Sequence, residues 1–171
     1  MNQELRILIK KLIGGEITDL EFLDLVKGNI EITSYFDKLL EVICIEKNKD
    51  DLGLLFYIGF TFDLFDERHL VMLNQLITEA WHKAHEDIAG LLQYFQSNSS
   101  VESLYKAAIT KFEYLHYTNA LAVKCIWALG DINTPESKEK LELLSKSKEK
   151  EIKKNALHQL KRISIKEGII K

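Results

Sequence analysis

A chain of 171 residues with one proline, eight glycines and 46% hydrophobic residues has the size of one compact domain and too few turn formers for an all-β architecture. No apolar run approaches the ~20 residues that a bilayer span requires, and the opening MNQELRILIKKLIGG scatters charges through its apolar positions, as an amphipathic helix does and a secretory signal does not. The net charge of −3 conceals an asymmetry: residues 1–100 hold 17 acidic and 9 basic side chains, residues 101–171 hold 9 and 14, and the acidic part argues against nucleic acid as a partner.

In chain order, Leu5, Leu8, Ile9 and Leu12 form one face of a first helix that Gly14-Gly15 stops. Thr18 and Glu21 make a capping box for a short second helix bearing Phe22, Leu25 and Val26, which ends near Gly28-Asn29. Thr33 or Ser34 starts a third with Phe36, Leu39, Leu40, Ile43 and Cys44 inward, and the polar residues 48–51 break the pattern. Residues 52–65, LGLLFYIGFTFDLF, are apolar nearly all round and predict a buried central helix, with a strand as the alternative because Phe, Tyr, Ile and Thr favour sheets. Cys44 and Cys125 sit beside aliphatic residues in helical patterns and read as buried free thiols, which implies a reducing, cytoplasmic compartment.

Asp66 caps a helix with Leu70, Leu73, Leu76 and Ile77 inward and Trp81 near its end. Residues 85–96 and 100–115 predict the next pair, the second carrying Leu104, Tyr105, Ala108, Ile109 and Phe112. Ala122, Val123, Ile126 and Leu129 then form a helix that Gly130 ends at a left-handed position, and Thr134-Pro135 starts another with Leu141 and Leu144 on its face. Ile152, Ala156, Leu157, Leu160 and Ile163 begin the pattern again. Ile88, Ala122 and Ala156 are each 34 apart, as are Ala89, Val123 and Leu157, then Leu92, Ile126 and Leu160, then Phe95, Leu129 and Ile163. The cap candidates Asp66, Ser100 and Thr134 share that spacing of 34, and two helices per such period indicate an α-solenoid.

Residues 152–160, IKKNALHQL, resemble the HEAT-repeat pattern of an aliphatic residue, a basic residue, two free positions, then alanine and further apolar residues. Residues 128–136, ALGDINTPE, resemble the turn between the two helices of a HEAT-like repeat. The likeness spans the C-terminal half and fades towards the N-terminus. It implies an all-α, right-handed α-solenoid of antiparallel HEAT-like pairs with about 9–10 helices. The expected organisation is a single domain over 1–171, with divergent helices at 1–48 and repeats at 49–171.

Glu79-x-x-His82, His82-x-x-His85, Glu86 and Asp87 are the densest set of metal-ligand residue types, and Glu113-x-x-His116 repeats the first motif 34 positions on. Carboxylate-bridged metal sites in bundles use such motifs but need two further inward glutamates, which the sequence does not supply. Solvated helix ends are therefore expected here, with no metal and no cofactor. Asp63, Asp66 and Glu67, near Phe60, Phe62 and Phe65, read as helix-cap and dipole partners, or as an acidic, aromatic-edged patch for a basic partner. Tyr94, Tyr114, Tyr117, His116 and Trp127 are expected around one loop region, mostly as core. The run 146–154 reads as a solvated face, and Lys153, Lys154, Lys161 and Arg162 could touch phosphate.

There is no phosphate-cradling glycine loop, nucleophile elbow or zinc-helix motif, so no catalytic residue is assigned and a non-enzyme is expected. The residues expected to meet a partner are Asp63, Asp66, Glu67, Trp81, Glu86, Asp87, Tyr94 and Tyr117. In general character the chain resembles the immunity proteins of bacterial polymorphic-toxin and contact-dependent inhibition systems, some of which are HEAT-like. That resemblance implies a protein toxin as partner, a basic nuclease domain foremost, with no membrane involved. The alternatives are a HEAT-like DNA-binding or alkylbase-glycosylase-type protein, for which the C-terminal lysines and Trp127 with Asp131 are the only candidate parts, and a general adaptor scaffold.

Overall fold

The computed structural model describes residues 1–26, 32–115 and 118–168. Among these are ten α-helices, three single 3-10 turns and no strand, so the helical reading of residues 52–65 holds over the strand alternative. None of the described helices is long and apolar enough to cross a membrane. The chain divides into two compact units, Met1–Phe65 and Asp66–Lys171.

The first unit comprises α1 (Gln3–Ile13), α2 (Asp19–Val26), α3 (Ile32–Glu46) and α4 (Lys49–Thr61), with α1 packed on α2 and α4, and α3 on α4. Asn2 accepts the Leu5 N–H to start α1, and Gly15 adopts φ 69 just past its end, a conformation that costs glycine nothing. Thr18 and Glu21 form the expected reciprocal cap, Glu21 accepting the Thr18 N–H at 2.8 Å. The expected end of α2 at Gly28-Asn29 lies outside the described residues. Ile32 is already helical, so Thr33 and Ser34 belong to the first turn of α3.

The polar segment 48–51 is the start of α4. Asn48 accepts the Asp51 N–H, and the Asp51 side chain turns inward. Only 1% exposed, Asp51 binds Arg6 through both carboxylate oxygens at 2.7 and 2.8 Å and the Met1 amino group at 3.1 Å. The Arg6 hydrogen bonds outweigh burial and hold this carboxyl below its usual range.

The apolar helix is shorter than its composition predicts. It ends at Thr61, Asp63 takes the left-handed φ of 50, and the Leu64 N–H returns to the Gly59 carbonyl at 2.9 Å. This reversal lays the Phe65 ring over Gly59, where an added Cβ would fall 2.3 Å from the ring. Phe65 meets Phe36 edge-on at 5.1 Å and Phe56 at 5.0 Å, while Phe62 stacks on Phe22 at 5.5 Å. Burying aromatic area in this way favours the reversal.

The second unit opens with a 3-10 turn (Glu67–His69) and continues through α5 (Leu70–Leu76), α6 (His85–Phe95), a turn at Asn98–Ser100, α7 (Val101–Ile109), a turn at Glu113–Leu115, α8 (Ala120–Ile132), α9 (Pro135–Leu144) and α10 (Lys150–Lys166). α8 packs against α6, α7, α9 and α10; α5 touches α6 and α7, α7 touches α9, and α9 touches α10. Polar side chains lace these helices together. Gln93 of α6 and Arg162 of α10 bind opposite oxygens of Asp131 on α8 at 2.6 and 2.5 Å, Lys124 pairs with Glu86 at 3.2 Å, and Thr134 donates to Asn98 at 2.6 Å.

The residues spaced by 34 behave unequally. Asp66 and Thr134 cap through their side chains, but Ser100 does not, and Ser97 caps the preceding turn instead. Ile88, Ala122 and Ala156 are all buried, whereas their neighbours run from buried Ala89 to Leu157 at 48% exposure. Gly130 does not end α8. The helix runs on to Ile132, Asn133 takes the left-handed position at φ 53, and a Cβ on Gly130 would lie 2.3 Å from Gln159 Oε1. The space above Gly130 therefore seats Gln159, and the inward face of α10 becomes Ile152, Ala156, Gln159 and Ile163, with Leu157 turned out.

The helix expected over 100–115 stops at Ile109, because Thr110 turns extended and Phe112 swings into the core. Cys125 is fully buried and Cys44 half-buried, both as free thiols; burial pushes Cys44 up to about 11 and Cys125 further in the same direction.

Candidate functional site

The segment joining α5 to α6 and the first residue of α6 carry the histidines that the sequence placed at solvated helix ends. The structure corrects that expectation: His82 is 2% exposed and His85 is 0% exposed. The Ala84 N–H donates to His82 Nδ1 at 3.2 Å, so that nitrogen carries no proton, and Nε2–H donates to the Leu76 carbonyl at 2.9 Å. His85 repeats the arrangement, Nε2–H donating to the Glu79 carbonyl at 2.8 Å and Nδ1 accepting from the Tyr114 hydroxyl at 2.6 Å. The rings stack at 4.3 Å, with Trp81 edge-on to His82 at 4.8 Å and Phe112 against His85 at 3.9 Å.

Burial lowers both histidines, His85 to about 4, with the His82 charge adding to the effect there. Burial, helped by the Glu86 charge, pushes the Tyr114 hydroxyl up to about 12. All four ring nitrogens of the pair are engaged in holding the segment. Among the described residues no three His, Cys, Asp or Glu side chains converge on a metal position, and His116 lies outside them.

Four of the eight expected partner-binding residues fall on this joint and the helix that follows it. Trp81 is half-buried, Glu86 pairs with Lys124, and Asp87 and Tyr94 share the solvent side of α6, with Tyr94 78% exposed. The remaining four are scattered. Asp63 is exposed at the end of the first unit; Asp66 opens the second and is engaged by its cap and by Arg68 Nη2 at 2.7 Å. Glu67 is exposed beside it, and Tyr117 lies outside the described residues. Of the expected aromatic gathering, Tyr114 joins the histidines, Tyr94 faces solvent and Trp127 belongs to α8, while His116 and Tyr117 lie outside the described residues.

Two features escaped the sequence. Trp127 donates to Asn155 at 3.3 Å and lies beneath Arg162 and beside His158, at 5.5 and 5.6 Å. Burial raises the neighbouring Asp131 carboxyl, but hydrogen bonds from Gln93 and Arg162 prevail and hold it below its usual range. The second is a groove of about 590 Å³ between the ends of α7 and α9 and the starts of α8 and α10, walled by Ile109, Phe112, Leu121 and Ile152 and rimmed by Lys111 and Glu149. Its walls come from four separated segments, which no local pattern links. Comparison of the chain with protein-family models, with curated proteins and with solved structures found no match.

Proposed function

We propose that this chain is a non-catalytic protein-binding module, an immunity protein that binds and neutralises a basic, nuclease-type toxin in the cytoplasm. The observation that carries the reading is the solvent face of α6, where Tyr94 is 78% exposed on the same side as Asp87. An exposed tyrosine offers a large, stiff anchor, and the adjacent Asp87 carboxylate helps steer a basic partner into register. The face is held by rigid supports: Glu86 and Gln93 of the same helix are tied to Lys124 and Asp131 of α8.

The pairings of α6, α8 and α10, and of α5, α7 and α9, are those that stacked antiparallel HEAT-like hairpins would make. In a right-handed α-solenoid of that kind, α6 belongs to one row of helices and its exposed side is open to docking. The charged groups most suited to chemistry are held by partners within the unit, Asp131 by Gln93 and Arg162 and Asp66 by Arg68, which favours a static surface over a reacting one.

The test uses the purified chain and the toxin encoded beside its gene, with affinity measured by calorimetry and protection measured as toxin activity. Tyr94→Ala and Asp87→Lys are each expected to weaken binding by about tenfold or more, which is about 1.4 kcal/mol, without moving the melting temperature. Absence of both binding and protection overturns the reading. Duplex DNA binding that weakens steeply with salt would replace it with the DNA-binding alternative.

A further inference from the structure

We propose that the stacked pair His82 and His85 is an acid-operated latch, which holds the α5–α6 segment closed while both rings are neutral and frees it when His82 takes a second proton. The geometry assigns the two rings different parts. His85 Nδ1 faces a hydroxyl, and a hydroxyl can reverse: if His85 is protonated, Tyr114 can accept from Nδ1 and turn its own O–H to the Lys83 carbonyl, already 3.3 Å away. His82 Nδ1 faces the Ala84 backbone N–H at 3.2 Å, which cannot reverse. A proton added there sets donor against donor in a site only 2% exposed, so the ring must leave. Two imidazolium rings 4.3 Å apart would also repel each other.

The charges facing the pair do not remove the conflict. Glu79 favours protonation of His82 but less strongly than burial opposes it, Glu86 and Asp87 act on Tyr114, and Lys83 lies 5.8 Å from the Tyr114 ring centre. Phe112 contributes no charge and depends on the stack for one of its contacts, so release of the latch also loosens a wall of the groove. The sign follows from the two states. The unfolded segment binds its protons near 6.5 and the closed one only at lower pH, about 4 for His85, so closure is fully favoured above 6.5 and loses ground as pH falls from 6.5 towards 4. The latch works whether or not α6 receives a partner.

The experiment follows the whole chain between pH 7.5 and 4.5. Histidine ring proton shifts report the titrations, and hydrogen exchange, corrected for its intrinsic pH dependence, compares residues 77–84 with α8. Two of the five histidines are expected to titrate below 6.5, His85 at about 4. Opening of 77–84 is expected to rise below 6.5 by about tenfold per pH unit for each of the two histidines that gains a proton on opening, while α8 stays protected. His82→Gln, which cannot titrate, should remove the donor-against-donor conflict at Ala84 and the share of the pH dependence that follows His82, whereas His85→Gln should remove only the His85 share and leave acid opening of 77–84 in place. If His82→Gln does not fold, the wild-type shifts and exchange decide alone. Two buried histidines titrating at the ordinary value, or exchange in 77–84 that rises only in step with α8, overturn the proposal.

Discussion

In Met1–Phe65 the helices are joined by rings: Phe65, dropped back over Gly59 by the turn at Asp63, gathers Phe36, Phe56 and Phe60 around it, and Phe22 stacks on Phe62. In Asp66–Lys171 the joints are closed by directed hydrogen bonds instead, through the histidine stack between α5 and α6, Asp131 across α6, α8 and α10, and the Thr134–Asn98 link at the start of α9. Arg6 with Asp51 is the polar exception in the first unit. Apolar contact is insensitive to pH and tolerant of small rotations, whereas a buried network fixes one register and fails when a single proton is added or lost. The second unit is therefore the one whose joints can respond to conditions.

The sharpest way to break the contrast is Phe65→Ala. Loss of a buried ring with three ring neighbours should lower stability by about 3–5 kcal/mol, read from the denaturant midpoint, with little dependence on pH between 5 and 8. Gln159→Met sharpens the other side. Neither polar atom of the buried Gln159 side chain has a hydrogen-bond partner in the described structure, so an apolar side chain of similar shape over Gly130 should raise stability by about 1–2 kcal/mol. A loss of that size would mean that the amide is satisfied in solution. The smallest effect belongs to Thr134→Ala, which removes a capping box at the start of α9 and should cost about 1 kcal/mol by thermal melting.

Local chemistry was legible wherever a residue acts on its own backbone. Gly14-Gly15 ends α1, Thr18 with Glu21 starts α2, Thr134 caps α9 as expected, and Asp66 caps the 3-10 turn that leads into α5. Misreadings arose where two roles fit the same residue. Gly130 has the signature of a helix stop, yet Asn133 stops α8 and Gly130 makes room for Gln159. Leu157 and Leu160 continue a helical apolar pattern, yet α10 turns Gln159 inward between them. His82 and His85 look like polar helix-end residues, because their acceptors are the backbone carbonyls of Leu76 and Glu79, which carry no mark in the sequence.

On the functional side, the sequence alone selected Trp81, Glu86, Asp87 and Tyr94, and the fold keeps them on one joint and its helix, while Asp63, Asp66 and Glu67 lie at the boundary of the two units. Composition and helical period by themselves determined that the chain is all-helical and roughly where its helices begin, since caps and apolar spacing act within one or two turns of the residue that carries them. Which face of α10 turns inward, where the apolar helix stops, and that two histidines lie buried and neutral were decided only by the tertiary structure. Each of those depends on space and hydrogen-bond partners supplied by residues beyond the local turn, in some cases by another helix.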